Sequence, residues 1–162
     1  MAAPQRSAII AATLEKEGQM VSAAAASIGS SISAPARVSA VMHRGVIACG
    51  PDCSGLAVAR IMAAHRIHSV VVTLPGAPLR VVTDAEIAMA LYEGTLATRS
   101  ATEIAKPAAI VARDETLLHA IECMREYQTT HAVVVDERRS QHAVGVLSVL
   151  DLAEAIVEGV GL

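Results

Sequence analysis

The chain has almost no aromatic side chains: its 162 residues include two Tyr, no Phe and no Trp. Proteins that hold unpaired nucleic-acid bases usually stack them on aromatic rings inside a basic groove. A basic field is lacking as well, because 13 basic residues face 16 acidic ones and give a formal net charge of −3. Nucleic acid is therefore not an expected partner, and the core must be built from aliphatic side chains.

Cysteine is also scarce, and its three occurrences are Cys49, Cys53 and Cys123. An odd number in a chain of this length argues against a disulfide framework and favours reduced thiols. No secretion signal is recognisable near residue 1, and the uncharged stretch at residues 18–36 is too rich in Ser, Ala and Gly to span a membrane. We expect a soluble, cytoplasmic protein without a membrane partner.

Motifs of catalysis and metal binding are missing too. The sequence has no CxxC or HExxH pattern, no glycine-rich phosphate loop and no evident pairing of a nucleophile with a base. His119 and Cys123, four residues apart on a predicted helix, make only half a metal site. Cys53, in a predicted turn, is the best candidate for a reactive thiol. We expect no enzyme activity, no resident metal and no required cofactor.

What the chain does contain is an internal repeat. At an offset of 62 residues, and of 65 after a longer second hairpin, the two halves agree in the order and boundaries of their predicted elements. The matched pairs are Asp52 with Asp114, Met62 with Met124, residues 70–72 with 132–134, residues 81–83 with 146–148, and Glu86 with Asp151.

Each copy has the pattern β-α-β-β-α. A short apolar strand (residues 46–49 or 108–112) leads to a polar helix start, and a helix with apolar residues at three-to-four spacing follows. Two β-branched runs separated by a turn predict a hairpin, and a last helix ends at Gly94 or Gly159. Units of this size gain by packing their sheets together. The predicted fold is α+β: two βαββα repeats packed sheet-to-sheet with pseudo-twofold symmetry.

This pattern resembles a tandem pair of cystathionine-β-synthase (CBS) domains, also called a Bateman module. The leading segment Val41-Met42-His43 is similar to the family's V-M-T, and residues 145–151 (GVLSVLD) match its G-h-h-[ST]-x-x-D motif in full. Residues 80–86 (RVVTDAE) depart from it, with Arg80 in place of Gly and Glu86 in place of Asp. We expect residues 37–97 to form the first repeat and residues 98–162 the second. Residues 1–36 are expected to form a short helix (residues 7–16) and an Ala/Ser-rich linker.

The resemblance implies one nucleoside site per copy. In CBS pairs the acid binds ribose, the Ser or Thr binds ribose or phosphate, and adenine lies between the first strand and the hairpin. The better-matched second-copy site would comprise Ala109, Ile110, His131, Ala132, Val133, Ser148 and Asp151. The first-copy site would comprise Ile47, Ala48, Val70, Val71, Thr83 and Glu86.

A second interpretation of the motif residues needs no ligand. Ser148 and Asp151 form a helix-capping pattern worth about 1 kcal/mol, and for His131 the role of a satisfied surface histidine is preferred to that of a phosphate donor.

Three functions stay open at this point. The first is a regulatory module that senses an adenosyl compound (AMP, ADP, ATP or S-adenosylmethionine) and responds by a conformational or oligomeric change. The resemblance also implies a homodimer and an unidentified effector protein. The second is a ligand-free protein-interaction module, favoured by the departures in residues 80–86. The third is a metal- or thiol-responsive protein acting through Cys53 or through His119 and Cys123.

Overall fold

Short valine-rich strands form two four-stranded β-sheets in the computed structural model, which describes residues 36–76, 79–137 and 142–159. The helix expected at residues 7–16 and most of the expected linker lie outside these residues. The strands are β1 (His43–Arg44), β2 (Ala48–Cys49), β3 (Ser69–Val72), β4 (Arg80–Thr83), β5 (Lys106–Pro107), β6 (Ala109–Ala112), β7 (His131–Asp136) and β8 (His142–Ser148). The helices are α1 (Val38–Val41), α2 (Gly55–His65), α3 (Asp84–Tyr92), α4 (Ala101–Ile104), α5 (Leu117–Glu126) and α6 (Val149–Val157).

The strand order confirms the α+β fold and its two repeats. One sheet has the order β2-β3-β4-β5 and the other β1-β8-β7-β6. In each, a parallel pair (β2 with β3, β6 with β7) is followed by an antiparallel hairpin (β3 with β4, β7 with β8). The helix between the parallel strands is α2 or α5, and the closing helix is α3 or α6.

The fourth strand of each sheet comes from the other repeat. β1 lies near the start of the first repeat but pairs antiparallel with β8, while β5 lies near the start of the second repeat and pairs antiparallel with β4. We call β1 and β5 the leading strands. They cannot be predicted from the sequence, because two-residue strands have too few residues to show an alternating pattern.

The two sheets pack face to face through valines. Along β3 and β4, Val70, Val72 and Val82 belong to one hydrophobic core, which also includes Ala101 and Ile104 of α4. The intervening Val71 and Val81 join Val133 of β7 in a cluster shared by both sheets, where each is at most 2% exposed. Successive side chains of a strand point to opposite faces, so the central strands are covered on both sides. Each buried valine stabilises the fold by about 1.5–3 kcal/mol.

Gly145 is required where β1 lies against β8. Arg44 is its cross-strand partner, and a Cβ on Gly145 would overlap the carbonyl oxygen of His43 and lie 3.1 Å from Sδ of Met42. The equivalent position in the first repeat is Arg80, opposite Pro107. Its side chain donates from Nη2 to the carbonyl oxygen of Ala105.

Replacing Gly145 by Ala should therefore destabilise the protein by about 1–3 kcal/mol, because backbone must shift to make room. Gly50→Ala is the matched control: a Cβ at Gly50 meets no heavy atom within 4 Å, and its effect should stay within about 0.5 kcal/mol. Urea unfolding monitored by circular dichroism measures both. Equal stability of the two variants would show that the leading strand does not lie against Gly145.

Candidate functional site

The start of the last helix carries Ser148 and Asp151, the two residues singled out by the second-copy motif. Ser148 is the N-cap of α6, and its Oγ accepts a hydrogen bond from the backbone N–H of Asp151 at 3.2 Å. In return, Oδ2 of Asp151 accepts from the N–H and the Oγ–H of Ser148, at 2.6 and 2.7 Å. This reciprocal capping box confirms the capping role and fixes the position of the carboxylate.

The first repeat builds the same arrangement with a longer acid. Thr83 is the N-cap of α3, and Oε2 of Glu86 accepts from the N–H and the Oγ1–H of Thr83, at 3.0 and 2.5 Å. Although the motif is altered, Glu86 therefore occupies the place that Asp151 has in the second repeat.

The second oxygen of each carboxylate is bound by a basic side chain from the leading strand of the opposite repeat. His43 Nδ1 lies 2.7 Å from Asp151 Oδ1, and Lys106 Nζ lies 2.9 Å from Glu86 Oε1. We call these contacts the crossed pairs. The acids are buried, with 4% and 8% of their side chains exposed, whereas His43 and Lys106 are 78% and 59% exposed.

The charge of Glu86 is stabilised by its hydrogen bonds. Burial by itself raises the pKa of a carboxyl, but the bonds from Thr83 and Lys106 outweigh it, so that the pKa of Glu86 lies below its ordinary value of 4.5. The acid is therefore ionised at neutral pH and forms a true ion pair with Lys106.

His131 is the first residue of β7 and lies directly across from Ser148 in the ladder with β8. Its Nδ1 is 2.9 Å from the hydroxyl oxygen of Thr130. Only 8% of its surface is exposed, so the interpretation as a surface histidine is wrong. The strand begins one residue earlier than expected and takes the imidazole into the interior.

The surroundings of His131 come from both repeats. Burial lowers the pKa of His131 below its ordinary value of 6.5, against the opposing negative charge of Asp84. His68 lowers this pKa further, while Asp151 and Glu86 raise it. Both closing helices thus begin close enough to act on one imidazole, which is predominantly neutral at pH 7.

A cleft of about 620 Å³ opens between the repeats. Its walls come from the segment after β1, from β2, β3 and the approach to β4, and from β8. The lining residues are Gly45, Val46, Ala48, Val71, Thr73, Leu79, His142, Ala143 and Val144. Its surface is largely aliphatic, as the shortage of aromatic residues requires. Along β8, Val144 and Ser148 are four residues apart, a distance of about 13 Å.

The structure divides the predicted site residues into four groups. Ala48 and Val71 line the cleft; Ser148, Asp151, Thr83, Glu86 and His131 lie around the starts of the closing helices. Four other residues are at most 1% exposed within the core: Val70, Ala109, Ala132 and Val133. Ile47 is half-buried and Ile110 is 39% exposed. Sequence reasoning missed His43 and Lys106 as partners of the acids. They could have been recognised in the sequence because each is a basic residue two or three positions before the predicted first strand of its copy (residues 46–49 and 108–112).

The cysteines are free thiols. Burial, helped by the neighbouring Cys53, raises the pKa of Cys49 to about 11. Cys123 Sγ lies 3.6 Å from Nε2 of His119, and burial raises the pKa of Cys123 as well.

Within residues 36–76, 79–137 and 142–159, no group of three or more His, Cys, Asp or Glu side chains is arranged to hold a metal ion. In the same ranges, no helix has the length and apolar character needed to cross a membrane.

Each sheet contains one strand from the opposite repeat, each closing helix starts with a capping acid, and an aliphatic cleft lies between the repeats. Together these features define a two-repeat module of the Bateman type. The chain belongs to the CBS domain family: the family model described as "CBS domain" matches it twice, at residues 38–93 and 101–158. The match to both repeats confirms the resemblance that the sequence motifs suggested. A comparison with curated protein sequences finds no match.

Solved structures agree with this assignment. The chain is similar to the CBS domain protein PAE2072 from Pyrobaculum aerophilum, solved as a complex with AMP (28% identity over 77% of this chain and 98% of that one, TM-score 0.66). Two others share the fold. One is the CBS domain pair of MJ0100 with 5′-methylthioadenosine and S-adenosyl-L-methionine (20% identity, coverage 77% and 98%, TM-score 0.68). The other is Hypoxic Response Protein I with two coordinated zinc ions (23% identity, coverage 74% and 98%, TM-score 0.61).

The lowered pKa of Glu86 predicts a pH-dependent contribution to stability. A folded-state pKa below the unfolded value of about 4.5 means that this contribution is present above pH 4.5 and is lost as the pH falls further. Glu86→Gln should therefore be less stable than the wild type at pH 6–7, by about 1 kcal/mol, and the difference should shrink below pH 4.5.

Urea unfolding between pH 3.5 and 7 measures this difference. Glu154→Gln, at an exposed position of α6, is the control and should follow the wild-type pH profile. A Glu86→Gln difference that is constant with pH would contradict the assignment.

Proposed function

We propose that the chain is a regulatory module that binds an adenosyl compound (AMP, ADP, ATP or S-adenosylmethionine) between its two CBS repeats. The observation that carries the proposal is the fixed carboxylate of Asp151 at the start of α6, on the same strand-and-helix unit as the wall of the cleft. Membership of the CBS family supports it. So do the complexes of PAE2072 with AMP and of the MJ0100 pair with S-adenosyl-L-methionine and 5′-methylthioadenosine.

Each part of such a ligand has a chemical counterpart here. Asp151 would accept hydrogen bonds from the ribose hydroxyls, and the first N–H groups of α6 and the Ser148 hydroxyl would face the phosphate or the sugar. In the first-copy site, Ala48 and Val71 line the cleft and offer aliphatic contacts for a base. His131, neutral at pH 7, would donate from its ring rather than attract phosphate by charge.

We propose that the Asp151 site is the stronger of the two. Glu86 is one methylene longer than Asp, and Asp84 places a second carboxylate beside it, 62% exposed. A phosphate near α3 would therefore face more negative charge than one near α6.

A regulatory module that catalyses no reaction can act only through a change of its oligomeric state or through a partner protein. We propose that a homodimer forms through apolar side chains on the closing helices, and that an effector protein in the cytoplasm receives the signal. Seven such side chains are 46–88% exposed: Met89, Leu91, Tyr92, Val149, Leu150, Ile156 and Val157. Exposed apolar side chains grouped in a patch are typical of an interaction site.

One observation favours the alternative of a ligand-free interaction module. Both acids already have partners on both oxygens, so these two buried carboxylates are satisfied without any ligand. The structure offers less to a metal- or thiol-responsive protein: of the candidate thiols, Cys53 is half-buried against the first core.

Calorimetric titration of the full chain with AMP, ADP, ATP and S-adenosylmethionine tests the proposal. Asp151→Asn keeps a side-chain oxygen for the cap but removes the charge, and should weaken binding at least tenfold, equivalent to about 1.4 kcal/mol. Glu154→Asn, on the exposed face of the same helix, should bind like the wild type. If a folded wild-type protein binds none of the four compounds, the ligand-free alternative replaces the proposal.

A further inference from the structure

The Asp151 carboxylate has little capacity left for a ribose. An ionised carboxylate offers about four acceptor positions. Oδ2 accepts two hydrogen bonds from Ser148, and Oδ1 is contacted by His43 at 2.7 Å. Because only 4% of the side chain is exposed, a pair of sugar hydroxyls has no open approach to Oδ1 while the imidazole is there.

Of the two partners, His43 is the one that can leave. Asp151 is fixed by the capping box and buried, and moving it would uncap α6. The imidazole of His43 is 78% exposed and loses little burial when it rotates into solvent. Its backbone lies in a two-residue strand at the edge of its sheet, next to Gly45 with φ of +89°.

We infer that His43 is a specificity-determining gate at the Asp151 site: it occupies Oδ1 in the free protein and is displaced by the vicinal hydroxyls of the ligand's ribose. This inference rests on the proposed function and adds its regulation. The net binding free energy is reduced by the cost of breaking the contact between His43 and Asp151. Only ligands with both hydroxyls replace what is lost, because removing a partner from a buried carboxylate leaves it unsatisfied.

The displacement also has a structural consequence. His43 belongs to the first repeat, whereas Asp151 belongs to the second, and β1 is paired there with β8. Ligand binding therefore releases a side-chain contact between the repeats while the backbone pairing stays. The ligand therefore binds more favourably to the state in which His43 is displaced than to the state in which His43 contacts Asp151. Such a difference in affinity is what allows a ligand to shift a conformational equilibrium.

The test compares the wild type with His43→Ala and His43→Thr, using AMP and 2′,3′-dideoxy-AMP as probes in calorimetric titrations of the full chain. Removing the imidazole should tighten AMP binding about tenfold, since the free carboxylate is then unsatisfied on Oδ1. Binding of the dideoxy analogue should not tighten. His65→Ala, an exposed histidine at the end of α2, is the matched control and should leave both affinities unchanged.

The outcomes separate the gate from the proposed function. If wild-type AMP binding is lost in Asp151→Asn but unchanged or weaker in the two His43 variants, the function stands and the gate is overturned. Equal tightening of AMP and its dideoxy analogue overturns the gate too, because the hydroxyls are then not what His43 competes with. If the wild type binds AMP and the His43 variants bind AMP more tightly while the dideoxy analogue is unaffected, the gate is supported; if the folded wild type binds no adenosyl compound, both proposals fall.

A second measurement does not depend on variants that fold. In ¹⁵N-labelled wild-type protein, the Nδ1 resonance of His43 reports its contact with Asp151 and should shift when AMP is added. The Nδ1 resonance of His65 should stay in place. An unchanged His43 signal at saturating AMP contradicts the gate.

Discussion

The pairing of each leading strand with the sheet of the opposite repeat is the constraint on which the other features depend. β1 completes the second sheet and β5 completes the first, so neither sheet is built from one repeat alone. This exchange brings His43 to Asp151 and Lys106 to Glu86, and it carries the segment after β1 along β8, where the two together form a wall of the cleft. Hydrophobic contact through Val71, Val81 and Val133 then holds the two sheets face to face.

The crossed pairs follow from this geometry. The two pairs lie at equivalent positions but consist of different residues. An Asp with an exposed His on one side corresponds to a Glu with an exposed Lys on the other. The two halves are therefore equivalent in position and unequal in chemistry. That asymmetry supports the proposed preference for the Asp151 site.

Much of the fold could be predicted from the sequence, because the repeat, the β-branched runs and the glycine helix ends all indicate the same β-α-β-β-α order. The leading strands could not, since two residues carry no periodicity and their pairing is set by tertiary packing. Gly145 shows the same limit. The motif contains the glycine, but the reason for it is the backbone of His43, which belongs to a different part of the chain.

The site was predicted in part. Ser148, Asp151, Thr83 and Glu86 carry a capping pattern that local sequence shows directly. The adenine contacts were assigned through the family, and the structure places Ala132 and Val133 in the core. A signal was available there: an unbroken apolar run such as residues 132–135 is typical of a strand buried on both faces. The burial of His131, by contrast, depends on packing between the repeats.

A crystal structure of the full chain with AMP bound tests the central claim most directly, because it shows the leading strand, the acid and the ligand at once. We expect the ribose hydroxyls to lie within hydrogen-bond distance of Asp151 Oδ1 and the His43 imidazole to have turned away, while β1 stays paired with β8. AMP bound elsewhere, with His43 still 2.7 Å from Asp151 as in the free protein, would contradict it.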